Sequence, residues 1–215
     1  MSRIEDQQSR IKATLELAPV VPVVVIDHVE HALPLARALV AGGTPAIEVT
    51  LRTPAALDAI RAIAENVEGA CVGAGTVVTP KDLEAAQAAG ARFAVSPGST
   101  TALLDAADDS DLPLLPGAAT ASEAMTLLAR GYRLLKCFPA EASGGVALLR
   151  SLSGPLPQLR FCPTGGITPD NAATYLALGN VICVGGSWLT PRKLQDAGDW
   201  AAIEALARKA AALHT

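Results

Sequence analysis

Aromatic side chains make up only 3% of the chain, so a core built around stacked rings is excluded and the interior must be filled by small and branched aliphatics. Histidine is scarce too. His28 and His31 lie one helical turn apart, but the third, His214, is at the far end of the chain. A transition-metal centre would need further ligands close by, so the pair is read as a solvated first helical turn. Cys71, Cys137, Cys162 and Cys183 are scattered singly, each in a predicted strand, with no close pair to chelate zinc or form a redox dithiol. They are read as small buried hydrophobes. A basic excess is also missing: the net charge is -4, the isoelectric point is near 5.4, and no cluster of Lys and Arg is interleaved with aromatics. That argues against a nucleic-acid partner. The longest apolar run, 18–26, is too short to cross a bilayer, and residues 1–6 lack the apolar segment of a signal peptide. The expectation is a soluble, cytoplasmic protein with no membrane partner.

What is present is an alternation. Half of the 215 residues are hydrophobic, the usual content of a parallel sheet wrapped by helices, which favours α/β over a β-sandwich. Residues 3–17 carry apolar positions among charges and predict an amphipathic leading helix that covers one end of the domain. Predicted strands then follow at 20–27, 46–51, 71–75, 92–96, 112–116, 134–138, 159–164 and 181–185. Helical patterns fall between them, opening near prolines or threonines. Residues 188–198 read as a loop and 200–213 as a closing helix. Eight such units with no break in composition predict one α/β domain over 1–215, a (β/α)8 TIM barrel with an extra N-terminal helix. A doubly wound open sheet is the rival. It is weakened because no Gly-x-Gly-x-x-Gly follows the first strand and because unusual residues recur at the ends of many strands.

Two charges break the apolar pattern. Lys136 sits in Leu134-Leu135-Lys136-Cys137-Phe138, where every neighbour reads as buried strand. Burial disfavours an ammonium, and a neutral amine is the nucleophile that converts a ketone to a Schiff base. The bland alternative is a lysine stem lying along the strand with its ammonium in water. In Glu48-Val49-Thr50-Leu51-Arg52, the carboxylate of Glu48 shares alternation parity with Thr50 and Arg52. It reads as a general acid/base facing Lys136 across the interior, or as a structural ion pair with Lys136 or Arg52. Glycines and prolines gather at the ends of strands three to five, and Gly165-Gly166 and Gly185-Gly186-Ser187 follow strands seven and eight. In such barrels, paired glycines there let backbone N–H groups approach a phosphate.

Seven stretches in order carry a resemblance: Pro19-Val20-Val21-Pro22-Val23, Glu48 to Thr53, Gly73-Ala74-Gly75-Thr76-Val77, Ser96-Pro97-Gly98, Lys136 to Glu141, Arg160 to Ile167, and Gly185-Gly186-Ser187-Trp188-Leu189. From about Ala18 onward the chain closely resembles the family of 2-keto-3-deoxy-6-phosphogluconate (KDPG) and 4-hydroxy-2-oxoglutarate aldolases. The resemblance implies a lyase of the Entner–Doudoroff pathway that needs no cofactor and assembles as a homotrimer. It implies Lys136 as the Schiff-base lysine, Glu48 as the proton shuttle, and Arg52 and Thr76 as the pyruvyl carboxylate site. Pro97 and Phe138 would line the pocket, and Thr164, Gly165, Gly166, Gly185, Gly186 and Ser187 would form the phosphate end. Cys137 stands where an aromatic is often found beside the lysine, but its alternation points it away from the interior. The alternatives are the related 2-dehydro-3-deoxy-6-phosphogalactonate aldolase, or a phosphate-binding isomerase or epimerase in which Glu48 abstracts a proton and Lys136 only stabilises charge.

Overall fold

The computed structural model describes residues 3–213, so His214 lies outside the described residues. The first half runs α1 (Arg3–Leu15), β1 (Val20–Val24), a 3-10 turn (Val29–His31), α2 (Ala32–Ala41), β2 (Ala46–Thr50), α3 (Ala56–Asn66), β3 (Cys71–Gly75), α4 (Pro80–Ala88), β4 (Ala94–Val95) and α5 (Thr101–Asp109). The second half runs β5 (Leu114–Leu115), β6 (Gly117–Ala118), α6 (Ala121–Ala129), β7 (Leu134–Cys137), α7 (Gly145–Ser153), β8 (Arg160–Pro163), α8 (Pro169–Leu176), β9 (Val184–Gly186), α9 (Arg192–Asp196) and α10 (Trp200–Ala211).

The strand pairs are parallel, in the order β5-β4-β3-β2-β1-β9 and, separately, β6-β7-β8. Isolated bridges from Phe161 to Val181 and from Thr164 to Gly185 join β8 to β9. The strand expected over 112–116 is therefore split in two. Pro116 has no N–H and removes one rung, so β5 pairs with β4 and β6 with β7, while the Pro116 carbonyl still accepts from the Lys136 N–H at 2.9 Å. The loop expected over 188–198 contains α9, whose five residues are too few to show a period. The first strand stops at Val24 rather than Asp27, and Val181 makes only an isolated bridge ahead of β9.

Helix starts follow the threonines and prolines. Thr79 caps α4 in a capping box with Asp82 ahead of Pro80, and Thr120 does the same for α6 with Glu123; each such cap contributes about 1 kcal/mol.

Two layers of core lie on the two faces of the curled sheet. Alternation sends Ile47 and Val49 outward against the helices with Leu39, Ile60 and Tyr175, and turns the other parity inward. The inner cluster holds Val21, Phe93, Val95, Leu115, Leu134, Cys162 and Cys183. Gly73 is small because a Cβ there would sit 2.5 Å from the Phe93 ring. Helix α1 seals the N-terminal edge of this interior: Ile11 and Leu15 join the inner cluster, and Gln8 Oε1 accepts from the N–H groups of Arg133 and Leu134 at 2.7 and 2.9 Å. Cys137 lies in the outer layer, as its alternation requires, and Cys71 is partly exposed rather than buried.

Candidate active site

Inward parity and the register of the strands bring the two anomalous charges together. Lys136 stands on β7 between Gly117 and Cys162, and Glu48 on β2 between Val23 and Gly73. Lys136 Nζ donates to Glu48 Oε1 at 3.0 Å, with the side chains only 6% and 4% exposed. Glu48 finds room because Gly75 has no side chain; a Cβ there would lie 2.3 Å from Oε1. A lone buried charge would be strongly disfavoured, and each of these groups is the other's compensation. Of the two partners expected for Glu48, Lys136 and Arg52, the contact is with Lys136. The lysine's proton has an acceptor at hydrogen-bond distance, so the ion pair and the acid/base reading describe one arrangement. The Phe138 ring, 5.3 Å from Nζ to centroid, shields one side of the amine.

The expected carboxylate site lies at the ends of β2 and β3. Arg52 is exposed and its Nε donates to Thr76 Oγ1 at 3.2 Å. Thr76, at φ +61°, is the only non-glycine in the left-handed region among the described residues. Such a conformation persists only where the surroundings enforce it, and here it aims a hydroxyl at the rim. Pro97 follows β4 half-buried, against Gly117, whose Cβ would approach the Pro97 carbonyl to 2.4 Å.

At the other end, Thr164 is buried under Gly185, where a Cβ would come within 2.2 Å of Thr164 Oγ1. Gly166 has φ +81° and packs against Glu141, and a Cβ on Gly186 would fall 2.0 Å from the Trp188 ring. These glycines thus have packing reasons as well as any role toward an anion. Ser187 is exposed at the rim and free of that complication. Replacing it by alanine is expected to lower kcat/KM on a phosphorylated substrate by the ~1–3 kcal/mol of one charge-assisted hydrogen bond, with melting temperature unchanged. Steady-state kinetics beside a thermal melt checks this. An equal loss on a substrate without phosphate would place the anion elsewhere.

Sequence reasoning missed Glu141 and Tyr175. The Tyr175 hydroxyl donates to Glu141 Oε1, fixing the carboxylate over Gly166. The two are 34 positions apart, with no spacing signal to join them. Cys137 and Cys183 are poor nucleophiles: burial pushes Cys137 up to about 11, and a hydrogen bond with Cys162 together with burial holds Cys183 well above the usual thiol range. His31 packs edge-on against His28 and Trp200 at 5.4 and 5.5 Å. Among the described residues no three His, Cys, Asp or Glu side chains converge on a common point. No helix among them is long and apolar enough to cross a membrane. A cavity of about 740 Å³ between α1 and the starts of β7 and β8, lined by Gln8, Lys12, Arg133 and Arg160, lies at the end of the sheet remote from this pair.

Residues 11–206 match the family model described as "Aldolase: KDPG and KHG aldolase". The chain is 52% identical over 207 residues to the KHG/KDPG aldolase of Escherichia coli K12, covering 96% of this chain and 97% of that one. Among solved structures it is similar to the KDPG aldolase of Legionella pneumophila with pyruvate captured as a covalent carbinolamine intermediate: TM-score 0.92, 47% identity, 94% of this chain and 98% of that one. It is also similar to the KDPG aldolase of Zymomonas mobilis ZM4 with 3-phosphoglycerate: TM-score 0.90, 48% identity, 95% of this chain and 96% of that one.

Proposed function

The chain belongs to the KDPG and KHG aldolase family, and we propose that it is a class I aldolase cleaving 2-dehydro-3-deoxy-6-phosphogluconate to pyruvate and glyceraldehyde 3-phosphate. A second substrate is 4-hydroxy-2-oxoglutarate, giving pyruvate and glyoxylate. The observation that carries the reading is the buried Lys136–Glu48 pair at 3.0 Å. It is supported by the carbinolamine in the Legionella relative.

The chemistry runs as follows. Glu48 takes a proton from Lys136, and the freed amine attacks the C2 ketone to give a carbinolamine. Loss of water, aided by the proton returned from Glu48, gives an iminium. The Glu48 carboxylate, through water, takes the C4 hydroxyl proton, the C3–C4 bond breaks, and its electron pair flows into the iminium as the aldehyde leaves. Glu48, through water, protonates C3 of the resulting enamine, and hydrolysis releases pyruvate and the lysine. Arg52 and Thr76 hold the substrate's C1 carboxylate, with Pro97 and Phe138 as pocket walls. Thr164, Gly165, Gly166, Gly185, Gly186 and Ser187 face the phosphate. No metal or organic cofactor takes part, since the imine is itself the electron sink.

The two sheets are read as one closed (β/α)8 barrel in a single domain, with Pro116 the only interruption of strand five and α1 as its extra N-terminal helix. The assembled enzyme is a cytoplasmic homotrimer of the Entner–Doudoroff pathway. Borohydride added with pyruvate is expected to inactivate the enzyme and to leave one reduced adduct, located on Lys136 by peptide mapping. An adduct on Lys81 or Lys193, or none at all, would refute the assignment.

A further inference from the structure

The phosphate end as built so far lacks a positive charge. Thr164, the four glycines and Ser187 offer a phosphate dianion only neutral donors, whereas a guanidinium would add a positive charge and a planar fork of donors that matches phosphate oxygens. The missing cation stands in the cavity that Ser187 lines. This cavity, of about 290 Å³ at the C-terminal ends of β1 and β9, is bounded by Val23, Val25, Asp27, Ser187, Arg192 and Gln195, among others, and among the described residues Arg192 is the only cationic side chain in its wall. Arg192 Nη2 donates to Asp27 Oδ2, with the arginine side chain 71% and the aspartate 32% exposed. Among the described residues its Nη1 and Nε make no hydrogen bond, so two donors of the planar fork remain available.

We propose that Arg192 is a specificity-determining residue whose guanidinium binds the phosphate of the phosphorylated keto acid, Asp27 holding it at the rim while the site is empty. This rests on the aldolase reading above. An exposed ion pair contributes little to stability in water, so the Asp27 bond can yield to a dianion at small cost. Because Arg192 is mostly exposed and opens a short peripheral helix, its replacement leaves the fold intact.

The test is steady-state kinetics of Arg192→Gln and Arg192→Lys on 2-dehydro-3-deoxy-6-phosphogluconate and on 4-hydroxy-2-oxoglutarate, with inorganic phosphate as a competing inhibitor. Arg192→Gln is expected to raise KM for the phosphorylated acid about five- to tenfold and to weaken inhibition by inorganic phosphate by a similar factor. Kinetics on the unphosphorylated acid and borohydride trapping with pyruvate should stay at the wild-type level. Arg192→Lys should recover part of the loss, since it keeps the charge but not the fork. Equal changes on both substrates, or no change on either, would overturn the assignment and leave Asp27–Arg192 as a surface ion pair only. A wild-type enzyme that cleaves neither acid would instead overturn the aldolase reading on which it rests.

Discussion

Lys136→Arg is expected to lower kcat by roughly ten-thousand-fold or more, to abolish borohydride-dependent labelling by pyruvate, and to leave the protein folded. Substitutions at Lys136 differ in what they do to Glu48. A guanidinium keeps the positive charge beside the buried carboxylate, but it stays protonated in proteins and has no free electron pair to offer the C2 carbonyl. Lys136→Met would mix two effects, because it strands a carboxylate that is 4% exposed without its counter-charge. Breaking a buried pair from one side typically costs about 3–5 kcal/mol of stability. The arginine variant therefore isolates the chemistry, and the methionine variant reports the coupling. Thermal melts should find Lys136→Met much less stable than Lys136→Arg at neutral pH, while both are inactive. If Lys136→Arg kept measurable aldol cleavage, the amine would be acting only as a charge, and an isomerase-like mechanism on this site would regain its place.

How much of this was readable beforehand differs by element. The inward placement of Lys136 and Glu48 was legible because period-two alternation is the strongest signal a strand carries, and a charge in that pattern has few ways to be satisfied. That Glu48 faces Lys136 was among the readings, but that it pairs with Lys136 rather than Arg52, at 3.0 Å, was not legible. It depends on the curl of a sheet that carries β2 and β7 into one interior, and no local pattern encodes the distance between strands 88 positions apart. The split of strand five was implicit in Pro116, since a residue without N–H must drop a rung, yet the composition of 112–116 reads as one continuous strand. Helix α9 was hidden by its five-residue length, and with it the position of Arg192. The glycines show a subtler limit. Gly166 and Gly186 read as anion cradles by position alone, whereas the side chains of Glu141 and Trp188 that occupy the space a Cβ would need come from tertiary packing. That is why Ser187 rather than a glycine is the clean probe of the phosphate end.

The second large effect is at Glu48. Glu48→Gln should cut kcat by about a hundredfold or more, the usual contribution of a positioned proton shuttle, yet pyruvate should still be trapped on Lys136. Glutamine keeps the shape and an oxygen that can accept from Nζ, so the side chain can remain in the space over Gly75. What is removed is the group that receives and returns protons. The amine that forms the imine is still in place, while C3 of the enamine loses its proton donor. The signature is thus a split: single-turnover trapping survives and steady-state turnover collapses. Gly75→Ala supplies an independent route to the same end, because its methyl would come within 2.3 Å of Glu48 Oε1 and 2.6 Å of Cγ, forcing the carboxylate away from Nζ. It should lower kcat in the same direction with every ionisable group still present. Borohydride trapping and cleavage rates measured on both variants decide the matter. Parallel loss of trapping and turnover in Glu48→Gln would mean that the carboxylate only sets the state of Lys136, and the proton at C3 would have to come from another group at the rim.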